Sequence, residues 1–75
     1  MEGVMDRIRV SSSNLKDVGY DPEQQILEVG FLNGSIYQYL NVPESKYIAL
    51  MRAESKGGYL DAYIKKFGYR YKKVR

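Results

Sequence analysis

The spacing of apolar and polar residues predicts strands in the first half of the chain. Apolar residues are sparse over residues 15–20, whereas residues 26–32 and 35–40 are richer in strand-forming types. The turn signal Asp21-Pro22-Glu23 follows the first segment, and Asn33-Gly34, a strong hairpin signal, joins the other two. Together these segments predict a three-stranded antiparallel meander.

A helical period replaces the strand pattern after residue 41. Pro43 fits the first turn of a helix that is expected to stop at residues 54–55, and Glu44 complements the positive end of its dipole. Gly57-Gly58 is expected to interrupt the helical chain, and a second helix then runs to Gly68, a natural terminator. The apolar stripe of this second helix consists of Tyr59, Leu60, Tyr63, Ile64 and Phe67. Strands followed by helices predict an α+β fold, with two helices packed on one face of the sheet.

Tyr37 and Tyr39 share one face of their strand, and the hairpin loop decides which face that is. A two-residue loop places both rings on the open face, where they would form a stacking platform for bases. A three-residue loop, with Gly34 in the left-handed conformation, places them on the apolar core face. The second register is favoured, because it groups Glu28 with Gln38 on the wet face and leaves no polar residue on the buried one.

The composition argues against catalysis. A chain of 75 residues allows one domain, and this chain contains no Cys and no His. It therefore lacks disulfides, cysteine nucleophiles and the commonest general base and metal ligand. The acidic residues show no paired motif, and Ser55-Lys56-Gly57-Gly58 lacks the Walker spacing: it fits a turn between helices, or a helix N-terminus that accepts a phosphate. We expect no enzyme activity, cofactor, metal or small-molecule substrate.

No hydrophobic segment indicates a membrane protein or a secreted one. No apolar run approaches the roughly 20 residues that span a bilayer, and residues 1–10 lack the hydrophobic stretch of a secretory signal. The absence of Cys fits a reducing compartment. We therefore expect a cytoplasmic protein with no membrane partner.

Positive charge is concentrated at the C-terminal end. Residues 1–64 hold six Lys and Arg against all nine Asp and Glu, whereas residues 65–75 hold six Lys and Arg and no acid. Tyr69 and Tyr71 are interleaved with these cations, which suits single-stranded nucleic acid, although an extended end that packs both rings on the domain fits equally well. The candidate nucleic-acid-binding residues are Lys65, Lys66, Tyr69, Arg70, Tyr71, Lys72, Lys73 and Arg75.

An ordered set of motifs covers most of the chain. The motifs are Ser12-Ser13-Asn14, Gly19-Tyr20-Asp21, alternating Leu27, Val29 and Phe31 with Gly34, Tyr37-Gln38-Tyr39, Val42-Pro43, Tyr47, Leu50, and Ser55-Lys56-Gly57 with Tyr59 and Ile64. This set resembles the KTSC domain, a short bacterial domain named for its place at the C-terminus of some lysyl-tRNA synthetases. Tyr37 and Tyr39 match the mark of the family, as core or stacking residues. Leu60-Asp61 departs from the Phe-Asn expected there, which puts any role of that Asn in doubt.

The resemblance implies a domain of uncharacterised function, for which the synthetase association suggests RNA binding. Together with the residues, it predicts a small non-catalytic binding module with RNA as its partner. The alternative is a protein-protein interaction module that uses a sheet edge or the acidic body. The expected organisation is an N-terminal tail or short strand at residues 1–9, a KTSC-like domain at residues 10–68 and a basic extension at residues 69–75.

Overall fold

A sheet of five antiparallel strands runs through the protein in a computed structural model, which describes residues 6–75. The strands lie side by side in chain order: β1 Ile8–Arg9, β2 Leu15–Asp21, β3 Ile26–Phe31, β4 Ile36–Tyr39 and β5 Tyr71–Lys73. The predicted meander corresponds to β2, β3 and β4. The prediction of three strands was wrong, because a further strand pairs with each side of the meander.

The two added strands come from opposite ends of the chain. β1 pairs Ile8 with Val18 of β2, and residues 1–5 of the predicted N-terminal tail lie outside the described residues. β5 pairs Tyr71 with Tyr39 of β4, so the segment predicted as a basic extension contains a strand. Each strand supplies hydrogen-bond partners to a meander edge whose backbone groups would otherwise lack them.

Two helices follow β4, as the sequence predicts. α1 is Glu44–Arg52 and begins directly after Pro43. α2, Lys56–Tyr59, continues without a break into a π-helical segment, Leu60–Lys65, so that the two form the second helix. This helix is followed by Gly68, whose φ of 101° is typical of the residue that ends a helix.

The second helix begins earlier than its sequence predicts. Ser55 caps it, because the Ser55 Oγ accepts a hydrogen bond from the N–H of Gly58 at 3.1 Å. The expectation that Gly57 and Gly58 interrupt the helical chain was therefore wrong, since both lie inside α2. At the other end, the N–H of Lys66 donates to the carbonyl of Asp61, five residues earlier, at 3.0 Å. This longer hydrogen bond gives the helix its wide π-type turn.

The β3–β4 hairpin adopts the three-residue register. Gly34 has a φ of 95°, a left-handed conformation that glycine adopts without a Cβ clash. The N–H of Phe31 donates to the carbonyl of Ser35 at 2.8 Å and closes the loop. Tyr37 and Tyr39 therefore lie on the same face as the apolar residues of β3, which confirms the favoured register.

The core lies between this face of the sheet and the two helices. A bulge in β2 at Lys16 shifts the alternation of side chains, so that Leu15 and Val18 are both buried. The buried apolar residues are Leu15, Val18, Leu27, Val29, Tyr39, Val42, Leu50, Leu60 and Ile64. Both helices thus pack on one face of the sheet, as the sequence predicts.

The second helix buries a narrower stripe than its sequence predicts. Leu60 and Ile64 are buried, but Tyr63 is 52% exposed and Phe67 is 64% exposed. Leu60 and Ile64, four residues apart, share the face of the helix that meets the core. Tyr63 instead packs its ring on Tyr59, with the ring centroids 4.7 Å apart, and Phe67 lies beyond the end of the helix.

The opposite face of the sheet carries a polar network. Arg7 Nε donates to Asp17 Oδ1 at 2.7 Å and Arg7 Nη1 donates to Glu28, while Gln38 Nε2 donates to Glu28 Oε1 at 2.8 Å. Glu28 is consequently only 3% exposed, so its predicted place on a wet face was wrong: Arg7 and Gln38 cover it. Gly30 makes room for this arrangement, because a Cβ there would lie 2.2 Å from Asp17 Oδ1.

Arg7→Ala is expected to lower the free energy of unfolding by about 3 kcal/mol, because it leaves a buried Glu28 carboxylate without its cation. Urea denaturation of the full chain measures the change. Arg9→Ala is the matched control, since Arg9 is exposed, and it should cost less than about 0.5 kcal/mol. Adding Glu28→Gln to Arg7→Ala should recover part of the loss. Equal losses in the two arginine variants would contradict a stabilising role of the network.

Candidate functional site

The helices leave part of the core face of the sheet open, and a cleft of about 420 Å³ lies there, within the size range of ligand sites. β3, the hairpin loop, β4, β5 and the end of the second helix contribute its walls. We call it the aromatic cleft. Its lining residues are Phe31, Asn33, Ser35, Tyr37, Tyr39, Lys65 and Tyr71.

Four rings form the apolar surface of the aromatic cleft. The ring centroid of Tyr71 lies 5.9 Å from those of both Tyr37 and Tyr39. Tyr37 and Tyr39 are 6.4 Å apart, and Phe31 meets Tyr37 edge to face at 5.8 Å. These separations are typical of favourable aromatic packing. Because Tyr39 is 3% exposed and Tyr71 is 62% exposed, the four rings form a surface that continues from the core to solvent.

The two tyrosines of the family motif differ in burial. Tyr39 belongs to the core, whereas Tyr37 is half-buried and presents part of its ring to the aromatic cleft. Burial raises the pKa of Tyr39 to about 12, and the neighbouring Tyr37 and Tyr71 add to the rise. The Tyr39 hydroxyl therefore keeps its proton at neutral pH.

Strand alternation divides the basic residues of β5 between the two faces of the sheet. Lys73 pairs with Tyr37 and lies on the face of the aromatic cleft, whereas Lys72 lies on the opposite face. Lys65, at the end of the second helix, also lines the cleft. Of the candidate residues named from the sequence, the structure thus brings Tyr71, Lys65 and Lys73 to the two family tyrosines.

The remaining candidate residues lie elsewhere. Arg75 borders the polar network on the opposite face. Lys66 places its Nζ 3.5 Å from Asp61 Oδ2 on the exposed side of the helix, and Arg70 is exposed. The Tyr69 ring stacks 5.0 Å from the Phe67 ring. The basic C-terminal segment is therefore divided among several surfaces.

Three residues of the aromatic cleft were not among the candidates named from the sequence: Phe31, Asn33 and Ser35. Asn33 Oδ1 accepts a hydrogen bond from the N–H of Ser35 at 2.9 Å, and Lys65 Nζ lies 5.7 Å from the Phe31 ring centroid. The Asn33-Gly34 signal identifies the hairpin loop. The same signal does not indicate that the end of the second helix and β5 line a cleft together with this loop.

The charge around the aromatic cleft is positive. No carboxylate is among its lining residues, and Lys65 is. Over residues 6–75, no three acidic side chains gather as a metal site. In the same range, no helix has the length and apolar character that crossing a membrane requires.

A family model matches the region that builds this cleft. The model of the KTSC domain covers residues 11–71, a range that includes every lining residue of the aromatic cleft. The chain belongs to the KTSC domain family.

Relatives of known sequence or structure agree with this assignment. A KTSC domain protein from Yersinia pestis has a crystal structure similar to this chain, with a TM-score of 0.87 and 41% identity, covering 96% of this chain and 100% of that one. An uncharacterized protein of Stutzerimonas stutzeri is 44% identical over 70 residues, which are 93% of this chain and 99% of the relative. A lysine–tRNA ligase of Nostoc punctiforme is 34% identical over 58 residues, which are 77% of this chain and 10% of the ligase. Similar segments thus occur both in chains of this size and within a much larger enzyme.

Because the pKa of Tyr39 is raised, the free energy of unfolding depends on pH in the alkaline range. Between about pH 10 and about pH 12 the unfolded chain releases the Tyr39 proton and the folded protein retains it, so the free energy of unfolding falls as pH rises. Tyr39→Phe removes this contribution, and its urea midpoint should fall less than that of the wild type over the same range. Tyr63→Phe, which alters an exposed ring outside the cleft, is the control and should follow the wild type. Parallel curves for Tyr39→Phe and the wild type would contradict the burial of a protonated hydroxyl.

Proposed function

We propose that this domain is a non-catalytic binding module for single-stranded RNA and that the aromatic cleft holds its bases. The observation that carries the proposal is the position of Tyr71, which β5 brings against Tyr37 and Tyr39, with Lys65 and Lys73 on the same face. Stacking of a base on an aromatic ring contributes about 1 to 3 kcal/mol. The exposed ring of Tyr71 offers such a contact, and the two lysines are placed to contact phosphates.

The charge of the aromatic cleft favours RNA over the other common ligand of aromatic sites. Clusters of aromatic rings also bind quaternary ammonium groups, which are attracted to the ring faces. Here Lys65 lines the cleft, Lys73 lies on its face, and no carboxylate is among the lining residues. These charges repel a cationic ligand and attract a phosphate backbone.

The relatives support RNA as the nucleic acid. Lysine–tRNA ligases of two Nostoc species, named for a tRNA substrate, contain a segment that is 34% and 38% identical to this chain. The position of the domain in these relatives and the chemistry of the cleft in this chain favour the same class of ligand.

A protein-interaction module that pairs through a sheet edge has less support. β1 has two residues, and β5 has three, two of which are Lys. Short and charged edge strands disfavour pairing with another chain, because they offer few backbone groups and repel one another. The aromatic cleft is therefore the better candidate for ligand recognition.

Tyr71→Ala is expected to raise the Kd for single-stranded RNA about tenfold, because it removes the exposed stacking surface. Fluorescence anisotropy of the full chain with a labelled mixed-sequence RNA of about ten nucleotides, at low salt, measures the Kd. Phe67→Ala is the matched control: Phe67 is 64% exposed, close to the 62% of Tyr71, and lies outside the cleft, so its Kd should stay within about twofold. No binding by the wild type, or equal effects of the two variants, would contradict the proposal.

Neutral substitutions in β5 test which face of the sheet meets the phosphates. Lys73→Gln should reduce the magnitude of the slope of log K against log salt by about 0.7, the value for one phosphate contact on a single strand. Lys72→Gln is the control, since Lys72 is adjacent in the same strand and lies on the opposite face. These substitutions keep the strand, whereas deletion of residues 69–75 would remove it. An equal change in slope for the two variants would assign the charge effect to the whole segment and contradict a binding site on the cleft face.

A further inference from the structure

A second cavity, of about 270 Å³, lies on the face of the sheet that carries the polar network. Three cations from separate parts of the chain reach it: Arg7 before β1, Lys16 in β2 and Arg75 after β5. The other lining residues include Gly30, Gly34 and Ile36, and no carboxylate is among them. We call this cavity the basic pocket. It brings together cations that the sequence separates.

A bulge places Lys16 on the same face as its neighbour Asp17. Neighbouring residues of a regular strand point to opposite faces. In β2, Leu15 and Asp17 pair with consecutive residues of β3, so Lys16 is an extra residue without a partner there. Lys16 therefore lines the basic pocket, while Asp17 takes part in the polar network on the same face.

A second bulge, after β5, directs Arg75 to this pocket. Lys73 pairs with Tyr37 on the face of the aromatic cleft. Arg75 instead pairs with Ile36: the Ile36 N–H donates to the Arg75 carbonyl at 3.1 Å, and the Arg75 N–H donates to the Ile36 carbonyl at 3.2 Å. Val74 is thus the extra residue. Because paired residues share a face, Arg75 lies with Ile36 on the side of the polar network, whereas regular alternation would carry it to the cleft. Bulges that redirect a side chain are common beside binding sites.

The charges around the basic pocket favour an anion. Arg7 donates from Nε to Asp17 and from Nη1 to Glu28, so its charge is offset by these carboxylates. Lys16 and Arg75, in contrast, form no ion pair with a carboxylate of residues 6–75. The pocket and the network together therefore keep a net positive charge. All three cations can only donate hydrogen bonds, and the Arg7 Nη2 group has donors that the network leaves unused.

We infer that the basic pocket binds a phosphate group, either free phosphate or the terminal phosphate of a larger molecule. A phosphate group carries close to two negative charges near neutral pH and has at least three acceptor oxygens, so each cation can contact a separate oxygen. A carboxylate offers only two oxygens and one charge. The pocket is smaller than the roughly 300 Å³ at which sites for whole small molecules begin, which suits a single phosphate group. The inference goes beyond the proposed function and does not depend on it.

Titration of the full chain with inorganic phosphate, near neutral pH and at constant ionic strength, tests the basic pocket. In ¹H–¹⁵N correlation spectra, the amides of Gly30, Gly34 and Ile36 should shift and saturate, with a Kd on the order of 1 mM. Lys16→Gln removes a charge-assisted contact and should raise the Kd about tenfold. Lys72→Gln is the matched control, since Lys72 is an exposed lysine of the same face that does not line the pocket. Its Kd should stay within about twofold.

Two results of this titration would overturn the inference. Shifts that grow linearly without saturating would show that phosphate does not bind at a site. Equal changes in Kd for Lys16→Gln and Lys72→Gln would assign the effect to the general charge of this face. Arg75→Gln is a second variant of the pocket and should also raise the Kd. It should fold like the wild type, because Arg75 is exposed and its hydrogen bonds to Ile36 are made by the backbone.

A second measurement distinguishes the two sources of phosphate. Phe31 and Ser35 line both the basic pocket and the aromatic cleft, so an RNA whose end lies in the cleft would bring its terminal phosphate close to the pocket. The anisotropy assay is repeated with oligomers that carry a phosphate at the 5′ end, at the 3′ end or at neither. Tighter binding of one phosphorylated form, lost in Lys16→Gln, assigns the pocket to an RNA end. Equal binding of the three forms assigns it to a phosphate that is not part of RNA. If no RNA binds, the proposed function fails, and the titration with inorganic phosphate still decides the inference.

Discussion

The register of the β3–β4 hairpin is the constraint on which the rest of the structure depends. Because Gly34 adopts a φ of 95°, the loop contains three residues, and Tyr37 and Tyr39 join the core face of the sheet. A slip of β4 by one residue would carry both rings to the opposite face. The same slip would move Gln38 into the core and separate it from Glu28, which would then lose a hydrogen-bond donor. One turn thus keeps the aromatic residues and the polar network on separate faces.

β5 turns part of the core face into a surface that a ligand can reach. Tyr39 is closed in by the helices and by Tyr71, whereas Tyr71 lies at the outer strand of the sheet and stays exposed. The second helix ends at Lys65, so it does not cover Tyr37 and the hairpin loop completely. The aromatic rings therefore serve two purposes: those nearest the helices stabilise the fold, and those beyond them form the cleft.

The opposite face is stabilised by charge in place of a helix layer. Arg7 lies across β2 and β3 and donates hydrogen bonds to the carboxylates of Glu28 and Asp17. Burial alone would lower the pKa of Arg7. The bonds with Glu28 and Asp17 outweigh this effect, so the pKa of Arg7 is raised. Every aromatic residue of the sheet lies on the other face, because each pairs in register with a residue of the core face: Phe31 with Leu15 of β2, Tyr20, Tyr37 and Tyr39 with residues of β3, and Tyr71 with Tyr39 of β4. A ligand that stacks on these rings must therefore approach from the side of the aromatic cleft. Such a ligand meets the cations on that side, and not all the cations of the C-terminal segment.

Local patterns in the sequence predicted the three strands of the meander, the two helices that follow, the hairpin with the favoured one of its two registers, and the family resemblance, because turn residues and side-chain periods act between near neighbours. They also named Tyr71, Lys65 and Lys73, although among cations that lie elsewhere. Only the tertiary structure decided that the C-terminal segment is a strand beside β4, that Arg7 buries Glu28, and that Tyr63 faces solvent. The physical reason is common to all three. Each depends on contacts between residues that are distant in the chain. These contacts form when the sheet and the helices pack together, and no period in the local sequence indicates them.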